Sequence, residues 1–382
     1  MAGYDEDLDA IRIRPKPPSS RGWLKQHAIA FSVDGYTAQA AVLSSIEMST
    51  LLAVPKKEPL VLFYTTFFSK PVDVASIQCD LPGEFTLDKR RIAEATAVVF
   101  HIPNFREIGD AWRYPGQYWI AWYMEARSNY KIIKDQKLMR HFDFTMSHER
   151  SSEIWCPYLP NSRWWDAVRA KPIGAKTEAA PVVAFQSAPL NYSGRLDLLK
   201  SLAEHIKIDS YGRYFRNSTV EGPDRGRKTK IETVSRYKFC LALENSTETD
   251  YVTEKLFDAF EAGSVPIYLG TSNVHEFAPP GSYINAADFS SYAELAAYLK
   301  YLIVTPEAYE AYFAWRSKPL PDELARLVQD RDPPVFYRLM QFVHQVTDER
   351  GQERPAGRPT LPFGPRAYIS TRLRKWRKRV PS

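Results

Sequence analysis

Residues 237–270 read YKFCLALENSTETDYVTEKLFDAFEAGSVPIYLG, and the order of residue types in this stretch points to one fold class. Tyr237–Leu243 is a short, mostly apolar run with aromatics, the mark of a strand buried on both faces. Glu244–Asp250 is polar and breaks the run. From Thr253 the pattern turns helical, with Val252, Leu256 and Phe260 four apart on one face. Gly263 is placed to stop that helix as a C′ residue, and Val265–Leu269 reads as a second buried strand. Strand, loop, helix and strand in this order make one unit of an open α/β sheet, whose ligands bind at the carboxyl edge. Asn245, Tyr251, Glu254 and Lys255 fall at that edge. A helix N-terminus attracts anions and Lys255 adds a full charge, so the stretch reads as a site for a phosphorylated ligand. Glu–Lys pairs are also common on solvated helix faces, and spacing alone leaves that alternative open.

The same alternation runs outward on both sides. Leu60–Thr66, Ala97–Ile102, Tyr118–Tyr123 and Asp143–Ser147 read as strands, with a helix over Asp88–Ala95. Residues 170–181 are rich in Pro, Gly, Ala and Lys and read as a linker. Beyond them come a strand at Val182–Gln186, a helix over Gly194–Ile206 with Leu196, Leu199, Leu202 and Ile206 along one face, a strand at Ile208–Gly212, the 237–270 unit, a strand at Tyr283–Ala286 and a helix through Tyr292–Leu302. The expected organisation is a lead-in over 1–57, an α/β domain over 58–165, a linker over 166–181, a second α/β domain over 182–347, and a linker with a basic tail over 348–382. The fold class is α/β, with two Rossmann-like domains facing across a cleft.

At 382 residues the chain is long enough for two such domains. Cys79, Cys156 and Cys240 are far apart, odd in number and without metal-type spacing, which points to a reducing compartment. The triplets beginning at Asn191, Asn217 and Asn245 fit the glycosylation pattern but read as chance matches. No run reaches the roughly 18 apolar residues of a membrane span. The N-terminus, acidic and then proline-rich, carries neither secretory signal nor anchor and reads as a disordered arm. Seven basic residues and no acidic ones lie in 366–382, and subtracting them from the chain's +6 leaves −1. The basicity therefore belongs to the tail and does not indicate a nucleic-acid surface. As a helix the tail would align Ile369, Leu373, Trp376 and Val380 among cations, the pattern of a segment lying on an anionic membrane; a disordered basic tail is the alternative.

The 237–270 stretch resembles the signature of the α1,3/4-fucosyltransferases, glycosyltransferase family 10. The positions Glu244–Ser246 and Asp250–Lys255 match it, and Leu243 stands where the family has Phe. Further resemblances are Ala97–His101, Met124–Asn129 (against Glu-Ser-Pro-x-Asn), Phe144–Tyr158 and Ile208–Gly212, together spanning about residues 60–318. The departures are Ala126-Arg127 for Ser-Pro and His148-Glu149 for Tyr-Arg.

The resemblance implies a GT-B-like fold and an inverting transfer of L-fucose from GDP-fucose to a glycan hydroxyl, with α1,3 linkage to N-acetylglucosamine or a related sugar. Such a single displacement needs one carboxylate as general base. Glu125 matches the family's proposed base; the alternative is a loop carboxylate paired with Arg127. Arg195 matches a phosphate-binding arginine and, with Lys255, would stabilise the leaving diphosphate. Glu254 would hold donor hydroxyls, Asn245 and Tyr251 would position the donor, and Tyr211 belongs to the donor side. No metal or other cofactor is expected, and Asp330-Arg-Asp332 reads as a solvated turn. Arg150 and His148 read equally as a surface ion pair or as site residues. Family members from bacteria carry basic amphipathic tails, which favours a cytoplasmic enzyme on the inner face of the cell membrane. The rival readings are a transferase for another GDP-sugar on the same fold and a non-catalytic sugar-nucleotide-binding or membrane-associated protein.

Overall fold

The structure, a computed structural model, describes residues 58–351, 356–364, 367, 369 and 370. The arm expected over 1–57 and most of the tail over 366–382 lie outside the described residues. One sheet is built from β1 (Leu60–Phe63), β2 (Glu84–Thr86), β3 (Ala97–His101), β4 (Tyr118–Tyr123), β5 (Phe144–Ser147) and β6 (Ile154–Trp155). A second is built from β7 (Val182–Ala184), β8 (Ile208–Ser210), β9 (Phe239–Leu243), β10 (Val265–Leu269) and β11 (Ile284–Asn285). The labelled helices are α1 (Ser162–Ala170), α2 (Arg195–Ala203), α3 (Arg227–Val234), α4 (Glu254–Ala262), α5 (Tyr292–Val304), α6 (Asp322–Arg331) and α7 (Val335–Arg350).

Strand order is β2-β1-β3-β4-β5-β6 in the first sheet and β11-β10-β9-β7-β8 in the second. Every strand pair is parallel, as the uninterrupted apolar runs require. Successive residues feed opposite faces: Val61, Phe63, Val99 and Ile120 enter one core, while Leu60, Leu62, Val98 and Trp119 enter another. In the second sheet Leu241 and Ile267 share one core, and Ala242 and Tyr268 the opposite one. The order reverses between β1 and β3 and again between β7 and β9, and each reversal opens a crevice at the carboxyl ends. Two Rossmann-like sheets are thus present as expected.

Several boundaries differ from expectation. The first strand stops at Phe63, and Asp88–Ala95 is a short 3-10 turn over Lys89–Ala93, capped by Asp88. A helix occupies Ser162–Ala170, across the boundary drawn at 165, and buries Trp164, Trp165 and Val168 against Leu256, Phe257 and Phe260 of the second half. Helix α7 belongs by packing to the first half, although the sequence places residues up to 347 in the second domain. Its Leu339, Met340 and Val343 are completely buried against Val61, Val99 and Ile120. At about 2 kcal/mol for each such side chain, that face decides where the helix docks. The chain therefore crosses between halves twice. Asp332, expected in a solvated turn, accepts from Ser162 N (2.7 Å), and Arg331 Nε donates to Leu159 O (2.8 Å), tying the two crossings together.

Gly263 ends α4 with φ +67°, as its position predicts. Among the described residues no helix is long and apolar enough to cross a membrane.

Candidate active site

The loop after β4 carries Glu125, and the loop after β9 carries Asn245 and Tyr251; the fold brings the two loops into contact. Glu125 is buried, and its Oε2 accepts from Tyr251 OH (3.0 Å) and Asn129 Nδ2 (2.9 Å). The same Asn129 amide donates to Asn245 Oδ1 (2.8 Å). Glu248 accepts from the backbone N–H groups of Arg127 (2.5 Å) and Ser128 (2.8 Å), and the Ser128 and Ser246 hydroxyls lie 2.9 Å apart. Arg127 does not pair with Glu125: its guanidinium binds Glu149 (2.6 Å). The turn built from Ala126 and Arg127 is thus fixed from the opposite half of the molecule. Oε1 of Glu125 makes no hydrogen bond within the described residues and is the carboxylate atom left for a ligand.

Behind Tyr251 the chain passes through Asp250, a non-glycine residue at φ +63°. Asp250 is held there by Arg150 N (2.9 Å), Arg150 Nε (3.0 Å) and Asn273 Nδ2 (2.9 Å). Arg150, which also pairs with Glu276, is accordingly a brace between halves, not a surface ion pair. His148 is fully buried beside Tyr251.

At the start of α4 the arrangement differs from a bare helix N-terminus. The carboxylate of Glu244, with no exposed surface, accepts from Thr253 N (2.7 Å), Thr253 Oγ1 (2.9 Å) and Lys255 Nζ (3.1 Å). Lys255 also reaches Glu254 (3.2 Å). Burial pulls the Lys255 ammonium down, but the carboxylates of Glu244 and Glu254 outweigh it and hold the group charged well beyond an ordinary lysine. The helix terminus is therefore already capped by an internal anion, and one cation lies between two carboxylates. Position alone did not reveal Glu244, although it stands in the quoted motif.

Arg195 is the complementary case. It opens α2 next to the crevice between β7 and β9, after Gly194 at φ +76°. It is 1% exposed, with Nη1 donating to Leu243 O (3.4 Å), Nη2 to Ala188 O (2.9 Å) and Nε unpartnered. Burial lowers its pKa, Glu244 partly offsetting this, and no carboxylate comes within ion-pair distance of it among the described residues. A buried guanidinium without a counter-ion is a strong demand for an anionic ligand. Tyr211 lies apart from the other candidates, at the end of β8. Its ring stacks on Phe185 (5.1 Å), and its hydroxyl meets Tyr237 OH (2.8 Å). Among the described residues no group of three or more His, Cys, Asp or Glu is arranged to hold a metal ion.

Two family descriptions match the chain: "Fucosyltransferase, N-terminal" over residues 56–159, and "Glycosyltransferase family 10 (fucosyltransferase) C-term" over residues 175–350. The chain belongs to glycosyltransferase family 10. Within that family it is 35% identical over 277 residues to the 4-galactosyl-N-acetylglucosaminide 3-alpha-L-fucosyltransferase FUT6 of Pan troglodytes, covering 69% of this chain and 74% of that protein. It is equally 35% identical over 281 residues to the 3-galactosyl-N-acetylglucosaminide 4-alpha-L-fucosyltransferase FUT3 of the same species, covering 69% and 71%. A crystal structure of an α1,3-fucosyltransferase with GDP-fucose matches with TM-score 0.54 at 15% identity, over 76% of this chain and 92% of that one. That likeness speaks for the fold, a GT-B-like pair of parallel sheets.

Proposed function

We propose that the protein transfers L-fucose from GDP-fucose to a hydroxyl of a glycan acceptor, with inversion at the anomeric carbon and without a metal. The observation that carries this is Arg195: a buried cation with no counter-ion among the described residues, at the strand-order reversal of the second sheet. A nucleoside diphosphate supplies the missing charge there. Family membership and the specificity in the names of the two relatives above, each for a galactosyl-N-acetylglucosaminide, support fucose as the sugar and that disaccharide as the first acceptor to try.

In this reading Glu125 Oε1 takes the proton of the acceptor hydroxyl as its oxygen attacks the anomeric carbon. The carbon–phosphate-oxygen bond breaks on the opposite face, and the departing diphosphate gains charge near Arg195 and Lys255. Tyr251 and Asn129 orient Glu125 through Oε2. Glu254 and Asn245 receive the donor sugar, and Tyr211 lies toward the nucleoside. The first sheet is the acceptor side and the second the donor side, with α7 completing the former. Incubating the protein with GDP-fucose and galactosyl-N-acetylglucosamine, then analysing linkage in any product, tests the reading. Absence of transfer to this and to a panel of N-acetylglucosamine-containing glycans refutes it.

We further propose a cytoplasmic enzyme whose 366–382 segment attaches it to the anionic inner face of the cell membrane, on the strength of that segment's charge pattern. Flotation with anionic vesicles at low salt, release by high salt, and loss on deleting 366–382 are the expected results. A deleted form that still floats refutes it.

A further inference from the structure

The chemistry above leaves one buried titratable group of the site unused. His148 follows β5, has no exposed surface, and among the described residues neither ring nitrogen has a hydrogen-bond partner. Buried polar atoms are nearly always paired, so two orphans on one ring call for a physical reason. The imidazole stands edge-on to Tyr251, with ring centres 5.0 Å apart and planes at 68°, and near-perpendicular to Tyr123 at 6.4 Å. Tyr158 meets the Tyr251 ring from another side, at 6.3 Å and 89°, and its own hydroxyl donates to Met124 O, next to Glu125. The Tyr251 phenol is thus gripped by two rings while its hydroxyl reaches Glu125.

We infer that His148 is a positioning residue for the base, its ring holding the Tyr251 phenol at the angle from which it meets Glu125. This rests on the reading of Glu125 as the base. An edge-to-face contact of this kind needs ring shape and not ring nitrogens, which agrees with the nitrogens standing unpartnered. The surroundings explain what acid would do. Four carboxylates act on the imidazole: Glu125 from the loop after β4, Glu149 beside it, and Glu248 and Asp250 from the loop after β9. Glu149 is paired with Arg127, Glu248 with Lys134 and Asp250 with Arg150, whereas Glu125 has no cation partner among the described residues. Burial keeps the ring neutral against this field by lowering its pKa. Once protonated, the imidazolium carries two N–H donors that must find acceptors, and Glu125 is the carboxylate without a competing cation. Acid would therefore draw His148 off Tyr251 and place a positive charge against the base.

The test compares the full-length wild type with His148→Ala, His148→Phe and Glu125→Gln, using GDP-fucose and galactosyl-N-acetylglucosamine over a range of pH. His148→Ala should lower kcat by about 10- to 100-fold with KM for GDP-fucose within about twofold, since misplacing a catalytic group by about 1 Å can cost about 10²-fold. His148→Phe keeps the ring and loses the titration. It should hold kcat at alkaline pH within about threefold, and the acid limb of its kcat profile should move at least about half a pH unit lower. A folded His148→Ala enzyme with wild-type kcat overturns the inference, as does a His148→Phe enzyme with the wild-type acid limb. If the alanine variant does not fold, the phenylalanine profile decides alone. Wild-type turnover in Glu125→Gln removes the base reading and this inference with it, whereas no transfer by the wild type condemns the proposed function itself.

Discussion

The Tyr251 hydroxyl donates a 3.0 Å hydrogen bond to Glu125 Oε2 across the junction of the two halves, so the proposed base of the first sheet is aimed by a residue of the second. Neither side chain has its orientation without the other half in place. The adjoining Asn129 bridge to Asn245 repeats the connection.

Glu125→Gln keeps shape and hydrogen bonding but removes the proton acceptor. Turnover should fall by about 10²–10⁴ while GDP affinity stays within a few-fold. Initial rates and GDP calorimetry measure the two quantities. A variant with near-normal turnover would assign the base elsewhere.

Lys255→Ala should act on stability as well as on donor binding, because it strips the cation from a Glu244 carboxylate that has no exposed surface. Leaving such a charge unpaired costs about 3 kcal/mol, read as a lower urea midpoint. Adding Glu244→Gln should recover most of that stability and none of the GDP affinity. If the double variant binds GDP as the wild type does, Lys255 serves the fold alone. Arg195→Ala, by contrast, removes a guanidinium with no carboxylate partner, so it should weaken GDP binding with a smaller loss of stability.

With Arg195 and Lys255 charged at the proposed diphosphate site, transfer should survive EDTA. Complete loss on chelation, restored by Mn²⁺ or Mg²⁺, would show that the leaving group depends on a metal.

His101 makes stability depend on pH. It sits at the end of β3 at the strand-order reversal of the first sheet, 1% exposed. Its Nδ1 lies 2.7 Å from Asn104 Oδ1, which can only accept, so Nδ1 carries the proton and Nε2 is left bare and unpartnered. Burial pulls the pKa from 6.5 to about 4. Between these values the unfolded chain binds the extra proton and the folded one does not. Stability therefore falls as pH drops from about 6.5 towards 4, by about 3 kcal/mol in total. Urea unfolding of the wild type and of His101→Gln at pH 7.5 and pH 4.5 measures the difference. Equal pH dependence in the two proteins would contradict the assignment.

The α/β class, the 237–270 unit and its ends can all be read from the order of residues alone. Those features follow from local regularities: the apolar runs of Phe239–Leu243 and Val265–Leu269, the four-residue spacing of Val252, Leu256 and Phe260, and a glycine where φ is positive. The candidates Glu125, Arg195, Glu254 and Lys255 were legible through the family resemblance, whereas the part played by Glu244 was not. How those residues are used depends on contacts that exist only once the chain has folded. Whether Lys255 faces solvent or Glu244, whether Arg127 pairs with Glu125 or Glu149, and that Arg195 lacks a counter-ion among the described residues are all set by contacts between segments far apart in the chain. Helix α7 shows the same division: no reading of the sequence placed it, and the sheet that covers it, whose last strand ends 180 residues before the helix begins, is chosen by packing. Periodicity records which faces avoid water, and burial satisfies that demand with whatever partner the whole fold brings within reach.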